Sequence, residues 1–136
     1  MGFNGNMETL KNNVLVLGQE LDDFNLLQSL LNHVPCRVAI AKSPEQAVTL
    51  SSQTLPSLVI LSGNCHQWSA DFVNQLRRQA QKCGVTIIAL TDCHAPSWLH
   101  QESHLGVDGY LVKPVATDIL MSVVESARLR QFCCFQ

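Results

Sequence analysis

The chain has 136 residues, 46% of them hydrophobic and 15% charged, and a formal net charge of −2. That size and apolar content suit one globular domain with its own core and exclude a disordered chain. The near balance of nine basic and eleven acidic side chains excludes a polybasic surface for nucleic acid or anionic lipid.

Nothing in the chain approaches the roughly 20 apolar residues that span a bilayer. The opening Met1-Gly2-Phe3-Asn4-Gly5-Asn6 lacks the charged and apolar regions of a signal peptide. Asn6 stands where an acylation motif starting at Gly2 needs Ser or Thr. The expectation is a cytoplasmic protein that engages no membrane, with its six cysteines as thiols.

Residues 1–11 read as a flexible N-terminal segment. Val14-Leu15-Val16-Leu17 is a short apolar run, as expected of a strand covered on both faces. A helix follows over 21–33, with Leu21, Phe24, Leu27, Leu30 and Leu31 at helical spacing and Asp22 and Asp23 near its positive N-terminal end. Arg37-Val38-Ala39-Ile40 is a second strand. Ser43-Pro44-Glu45-Gln46 then supplies an N-cap, a first-turn proline and an early acid, opening a helix to about residue 52. Leu58-Val59-Ile60-Leu61 is the third strand; residues 69–82 form a helix with Phe72, Val73, Leu76 and Ala80 on one face, closed by Cys83-Gly84. Residues 85–90 make the fourth strand, 96–104 a short helix before Gly106, and Tyr110-Leu111-Val112 the fifth strand. The last helix is expected from 117 to about 130, with Ile119, Leu120, Val123, Val124 and Ala127 inward, leaving 131–136 as a tail.

Five strand-helix units with right-handed crossovers give a single α/β domain over residues 12–130, a parallel sheet with helices on both faces. Ligands of such sheets bind beyond the carboxyl ends of the strands. Four segments fall there: Gly18-Gln19-Glu20, Ser62-Gly63-Asn64-Cys65, Thr91-Asp92-Cys93 and Lys113-Pro114.

From about residue 12 to 130 the sequence resembles the receiver domains of bacterial two-component response regulators. The resemblance is carried by Leu58-Val59-Ile60-Leu61, by Ile88-Ala89-Leu90-Thr91 and, most specifically, by Gly106-Val107-Asp108-Gly109-Tyr110-Leu111-Val112-Lys113-Pro114. It implies a flavodoxin-like fold with strand order 2-1-3-4-5. It also implies a phosphoacceptor aspartate ending strand three, an acidic pair ending strand one that holds Mg²⁺, and a Thr or Ser ending strand four. A lysine ending strand five would pair with the phosphoaspartate, and an aromatic three residues before it would swing inward on activation.

Matched residue by residue, the chain keeps Thr91, Tyr110, Lys113 and Pro114 but carries Ser62 at the acceptor and Gly18 and Gln19 at the acidic pair. Mg²⁺ needs hard oxygen ligands, usually including a carboxylate, and a serine cannot form an acyl phosphate. The expectation is therefore a non-enzymatic, non-phosphorylatable pseudo-receiver without a cofactor or a metal at the Mg²⁺ position, in a two-component or related pathway. Lys113, with no carboxylate opposite, is expected to turn to the hydroxyls of Ser62 or Thr91, or to Asp92.

By the same resemblance the domain docks a protein through the 96–104 helix, strand five and the last helix. His104, Trp98, Tyr110 and Pro114 are the surface candidates, although Tyr110 reads equally as an ordinary half-buried strand aromatic. The partner would be a histidine kinase, another regulator or neighbouring domains of a parent chain, with homodimerisation a further arrangement.

The alternative function is a redox, metal or small-molecule sensor. Cys65-His66 and Cys93-His94 follow neighbouring strands, so their thiols and imidazoles would share one end of the sheet. Against it, adjacent Cys-His residues project in different directions, and neither pair has the Cys-x-x-Cys spacing of structural zinc. Cys36 and Cys83 read as small core residues, and Cys133-Cys134 as a peripheral pair. Trp68 and Trp98 read either as partner anchors or as caps on the core. Arg77, Arg78, Lys82, Arg128 and Arg130 read as solvated helix faces. No glycine-rich phosphate loop, paired-carboxylate hydrolase pattern or nucleophile elbow is present.

Overall fold

A computed structural model describes residues 12–18, 21–62, 69–79, 84–91 and 107–134. Within them the chain runs β1 (Asn12–Leu17), α1 (Leu21–Leu31), β2 (Cys36–Ala41), α2 (Pro44–Gln53), β3 (Leu58–Leu61), α3 (Ala70–Gln79), β4 (Thr86–Thr91), β5 (Gly109–Val112) and α4 (Thr117–Cys134). The five strands form one parallel sheet in the order β2-β1-β3-β4-β5, the expected α/β, flavodoxin-like order. The helix expected over 96–104 lies outside the described residues.

Period-two alternation divides the strand side chains between two cores. Val14, Val16, Leu58, Ile60, Ile88, Leu90 and Leu111 pack against Phe24, Leu27 and Leu31 of α1 and Leu120, Val124 and Ala127 of α4. Leu15, Leu17, Val59, Leu61 and Ile87 face the other way, onto Ala47 of α2 and Phe72, Val73 and Leu76 of α3. Each fully buried Leu, Ile or Val contributes about 1.5–3 kcal/mol, which explains why the three middle strands read as continuous apolar runs.

Local signals set most element ends. Ser43 Oγ accepts from Gln46 N at 3.1 Å at the start of α2, and Ser69 Oγ accepts from Phe72 N at 3.1 Å ahead of α3. Gly84 has φ 66°, the left-handed region that glycine adopts freely.

Three expectations are corrected. The first helix stops at Leu31 rather than residue 33, because His33 N and Val34 N bond Leu30 O and Leu31 O three residues back. That tightening precedes Pro35, which disfavours helical geometry at Val34. The last helix does not end near residue 130 but continues through Cys134, with no Gly or Pro to stop it. Gln131 Nε2 donates to Pro56 O at 3.0 Å, so the first of the expected tail residues is tied to the domain. Ile119 is not inward: it lies one position off the buried Leu120–Val124–Ala127 stripe and is 53% exposed.

Candidate functional site

The same alternation that fills the first core delivers three candidate residues to its upper rim. Gly18 continues Val14 and Val16, Ser62 continues Leu58 and Ile60, and Lys113 continues Leu111. The backbone there stays in register past the strand ends. Ser62 N donates to Leu17 O at 2.7 Å, Lys113 N to Thr91 O at 2.8 Å, and Gly18 N to Ala41 O at 3.1 Å. All three therefore sit at the carboxyl end of the sheet, on the side covered by α1.

The partner of Lys113 comes from that helix. Asp23 Oδ1 lies 2.9 Å from Lys113 Nζ, and the Ser62 hydroxyl donates to Asp23 Oδ2 at 2.6 Å. One carboxylate thus bridges the end of β3 and the end of β5. The Asp23 side chain is 6% exposed and that of Lys113 30%. Ser62 is fully buried. Removing a carboxylate from water is costly unless it is paired and hydrogen-bonded. Here an ammonium and a hydroxyl satisfy it with short, charge-assisted contacts, and its place in the first turn of α1 adds a favourable helix dipole.

The expectation that Lys113 faces no carboxylate is therefore wrong. Its side chain meets Asp23 and not the hydroxyls of Ser62 or Thr91; Asp92 lies outside the described residues. Asp23 also gives Ser62 an acidic neighbour. The missed signal was in the helix. Asp23 precedes Leu27 by four residues and Phe24 by one, so it belongs to the inward stripe, whereas Asp22 is exposed. Reading both acids as dipole partners hid the difference between them.

Gly18 is held by close approach. A Cβ built there would stand 3.0 Å from Ser62 Cβ and 3.3 Å from both Ser62 O and Ser62 Oγ. Two of the three departures from the receiver pattern, Gly18 and Ser62, are thus close neighbours, and a side chain at 18 would press on residue 62. Gly18 offers no side-chain ligand and both oxygens of Asp23 are engaged, so the described side chains alone do not make a Mg²⁺ site. Gln19 lies outside the described residues. Thr91 is buried at the end of β4.

Of the surface candidates, Tyr110 is half-buried opposite Ala89 of β4, and Pro114 is exposed after a cis Lys113–Pro114 bond. His104 and Trp98 lie outside the described residues, as do Cys65, His66, Cys93 and His94 of the sensor alternative and Trp68 and Cys83. Among the described residues no group of three or more His, Cys, Asp or Glu could hold a metal ion. Cys36 is half-buried against the first core with its Sγ 3.9 Å from Leu31 O, and burial pushes its thiol up from the ordinary value.

At the opposite end of the sheet Asp108 gathers charges read as solvated. Its Oδ2 lies 3.0 Å from Arg77 of α3 and accepts from Ile87 N at 2.8 Å, while Oδ1 is 3.6 Å from Arg130 of α4. Arg77 and Arg130 are thus parts of a clamp rather than purely solvated faces.

No protein-family model and no curated protein sequence matches this chain. Solved structures do. The signal receiver domain of an HD domain-containing protein from Pseudomonas fluorescens is 20% identical at a TM-score of 0.74, covering 90% of each chain. The chemotaxis response regulator CheY4 of Vibrio cholerae is 20% identical at 0.68, covering 86% of this chain and 98% of its own. A response regulator receiver modulated diguanylate cyclase from Pelobacter carbinolicus is 22% identical at 0.70, covering 92% and 99%. At such identities the likeness defines the fold: this is a receiver-type domain in architecture.

Proposed function

We propose that this chain is a non-phosphorylatable pseudo-receiver, a cytoplasmic signalling module that works by binding protein. The observation that carries the reading is the engagement of Ser62 and Lys113 by one buried carboxylate, at the positions where a receiver would keep its acceptor and its lysine. Ser62 has no exposed surface to offer a phosphoryl donor, and a serine cannot form the acyl phosphate of a receiver. Gly18 supplies no metal ligand to neutralise phosphoryl charge.

Binding rather than chemistry is supported by the side of the domain that carries β5 and α4. Val112 of β5 and Ile119, Met121 and Leu129 of α4 are each about half exposed (48%, 53%, 44% and 48%), so apolar side chains are available there to a partner. The receiver neighbours named for an HD-domain protein and a diguanylate cyclase favour a regulator, a histidine kinase or an adjoining domain as the partner. Incubation with acetyl phosphate and Mg²⁺, followed by intact mass, tests the reading. The mass is expected to stay unchanged, and a gain of one phosphoryl group would end it.

A further inference from the structure

At the upper rim two donors converge on one carboxylate of the protein itself. Lys113 supplies an ammonium and Ser62 a hydroxyl donor, from two strands whose backbones are fixed by Ser62 N to Leu17 O and Lys113 N to Thr91 O. Between them sits the Asp23 carboxylate, delivered by α1 and almost wholly buried. A buried lone acid on a core-facing helix stripe is expensive; it persists here because two donors of the sheet are aimed at it.

We infer that Asp23 is an internal ligand filling a small-oxyanion site, so that loss of its side chain opens that site to carboxylates of the size of formate or to inorganic phosphate. Asp23 ties the first turn of α1 to the ends of β3 and β5, and an oxyanion can enter only when that carboxylate leaves. The inference deepens the pseudo-receiver reading, since it assigns the negative charge of the site to Asp23 rather than to a phosphorylated side chain.

The test uses the full chain as wild type, Asp23→Ala and Asp23→Ala/Lys113→Met. Thermal midpoints are followed against sodium formate and sodium phosphate, with sodium chloride at matched ionic strength as reference. Asp23→Ala is expected to gain about 3 °C or more with saturable concentration dependence. The wild type and the double variant should stay flat. No response in Asp23→Ala, or an equal response in all three proteins, overturns the inference.

Should Asp23→Ala fail to fold, the same contact is read from Asp23→Asn, Lys113→Met and their combination. Their unfolding constants should be coupled by about tenfold or more, and additive effects would overturn it. Phosphoryl transfer to the wild type in the acetyl phosphate experiment would defeat the pseudo-receiver reading separately, leaving the coupling between Asp23 and Lys113 to be judged by its own measurement.

Discussion

Three side chains at the rim of the sheet have unequal stakes in one contact. Among the described residues, Lys113 supplies the formal positive charge that meets the buried Asp23 carboxylate, while Ser62 supplies a neutral hydrogen bond. Removing the lysine leaves an uncompensated buried charge, which costs about 3–5 kcal/mol; removing the hydroxyl costs about 1–3 kcal/mol. Urea denaturation should accordingly rank Lys113→Met well below Ser62→Ala. Equal losses would show that the ammonium does not compensate Asp23. Gly18 belongs to the same account: Gly18→Ala places a methyl 3.0 Å from Ser62 Cβ, and overpacking of that kind costs about 1–3 kcal/mol. An unchanged denaturation midpoint would mean that this approach is slack.

These residues also mark where sequence reading stopped. The loss of acids at 18 and 62 was visible, because it is a matter of identity at known strand ends. The replacement was not, because it depends on which side of α1 an acid faces. Asp22 and Asp23 are adjacent and chemically identical; only the phase of Phe24, Leu27 and Leu31 tells that the second points at the sheet. That phase needed to be combined with the end of β5, 90 residues away in sequence.

At the scale of elements, strands were legible and helix ends less so. Continuous apolar runs located the three middle strands within a residue or two, since burial on both faces leaves no other pattern, and the half-buried edge strands β2 and β5 were found as closely from short apolar runs. The end of α4 was missed because stopping signals were sought in a segment, Gln131-Phe132-Cys133-Cys134, that contains neither Gly nor Pro. Its inward stripe was drawn one residue too wide for Ile119, whose apolar character alone does not fix its angle on the helix. Deleting residues 131–136 removes the Gln131 bond to Pro56 and should lower stability by about 1 kcal/mol. A truncated domain with an unaltered thermal midpoint would restore the tail as an appendage.

Asp108 makes the corresponding case at the lower end. Its carboxylate joins α3, β4 and α4 through Arg77, Ile87 N and Arg130. Exposed ion pairs are worth little, so most of its value lies in satisfying Ile87 N beside a buried strand. Asp108→Ala should cost about 1–3 kcal/mol and speed hydrogen exchange at the Ile87 amide. Loss of stability with no change at that amide would assign the effect to the arginines instead.

Across the described residues, one receiver-type sheet carries two separate charge clusters, each anchored on a single aspartate. The lower one staples helices to strands. The upper one occupies the end of the sheet where parallel α/β folds bind their ligands, and it does so with a group from the chain itself. On the proposed reading, a receiver-type fold whose reactive end is filled in this way would keep its shape and its outer surfaces and lose the chemistry that switches them.

The amide spectrum of isotope-labelled protein, titrated with beryllofluoride and Mg²⁺, tests the filled site most directly. Ser62, Thr91 and Lys113 should show no saturable shift, because Asp23 already holds the lysine and no acceptor carboxylate stands at 62. Saturable shifts at those three amides would show that the site binds a phosphoryl mimic, and would contradict the pseudo-receiver account.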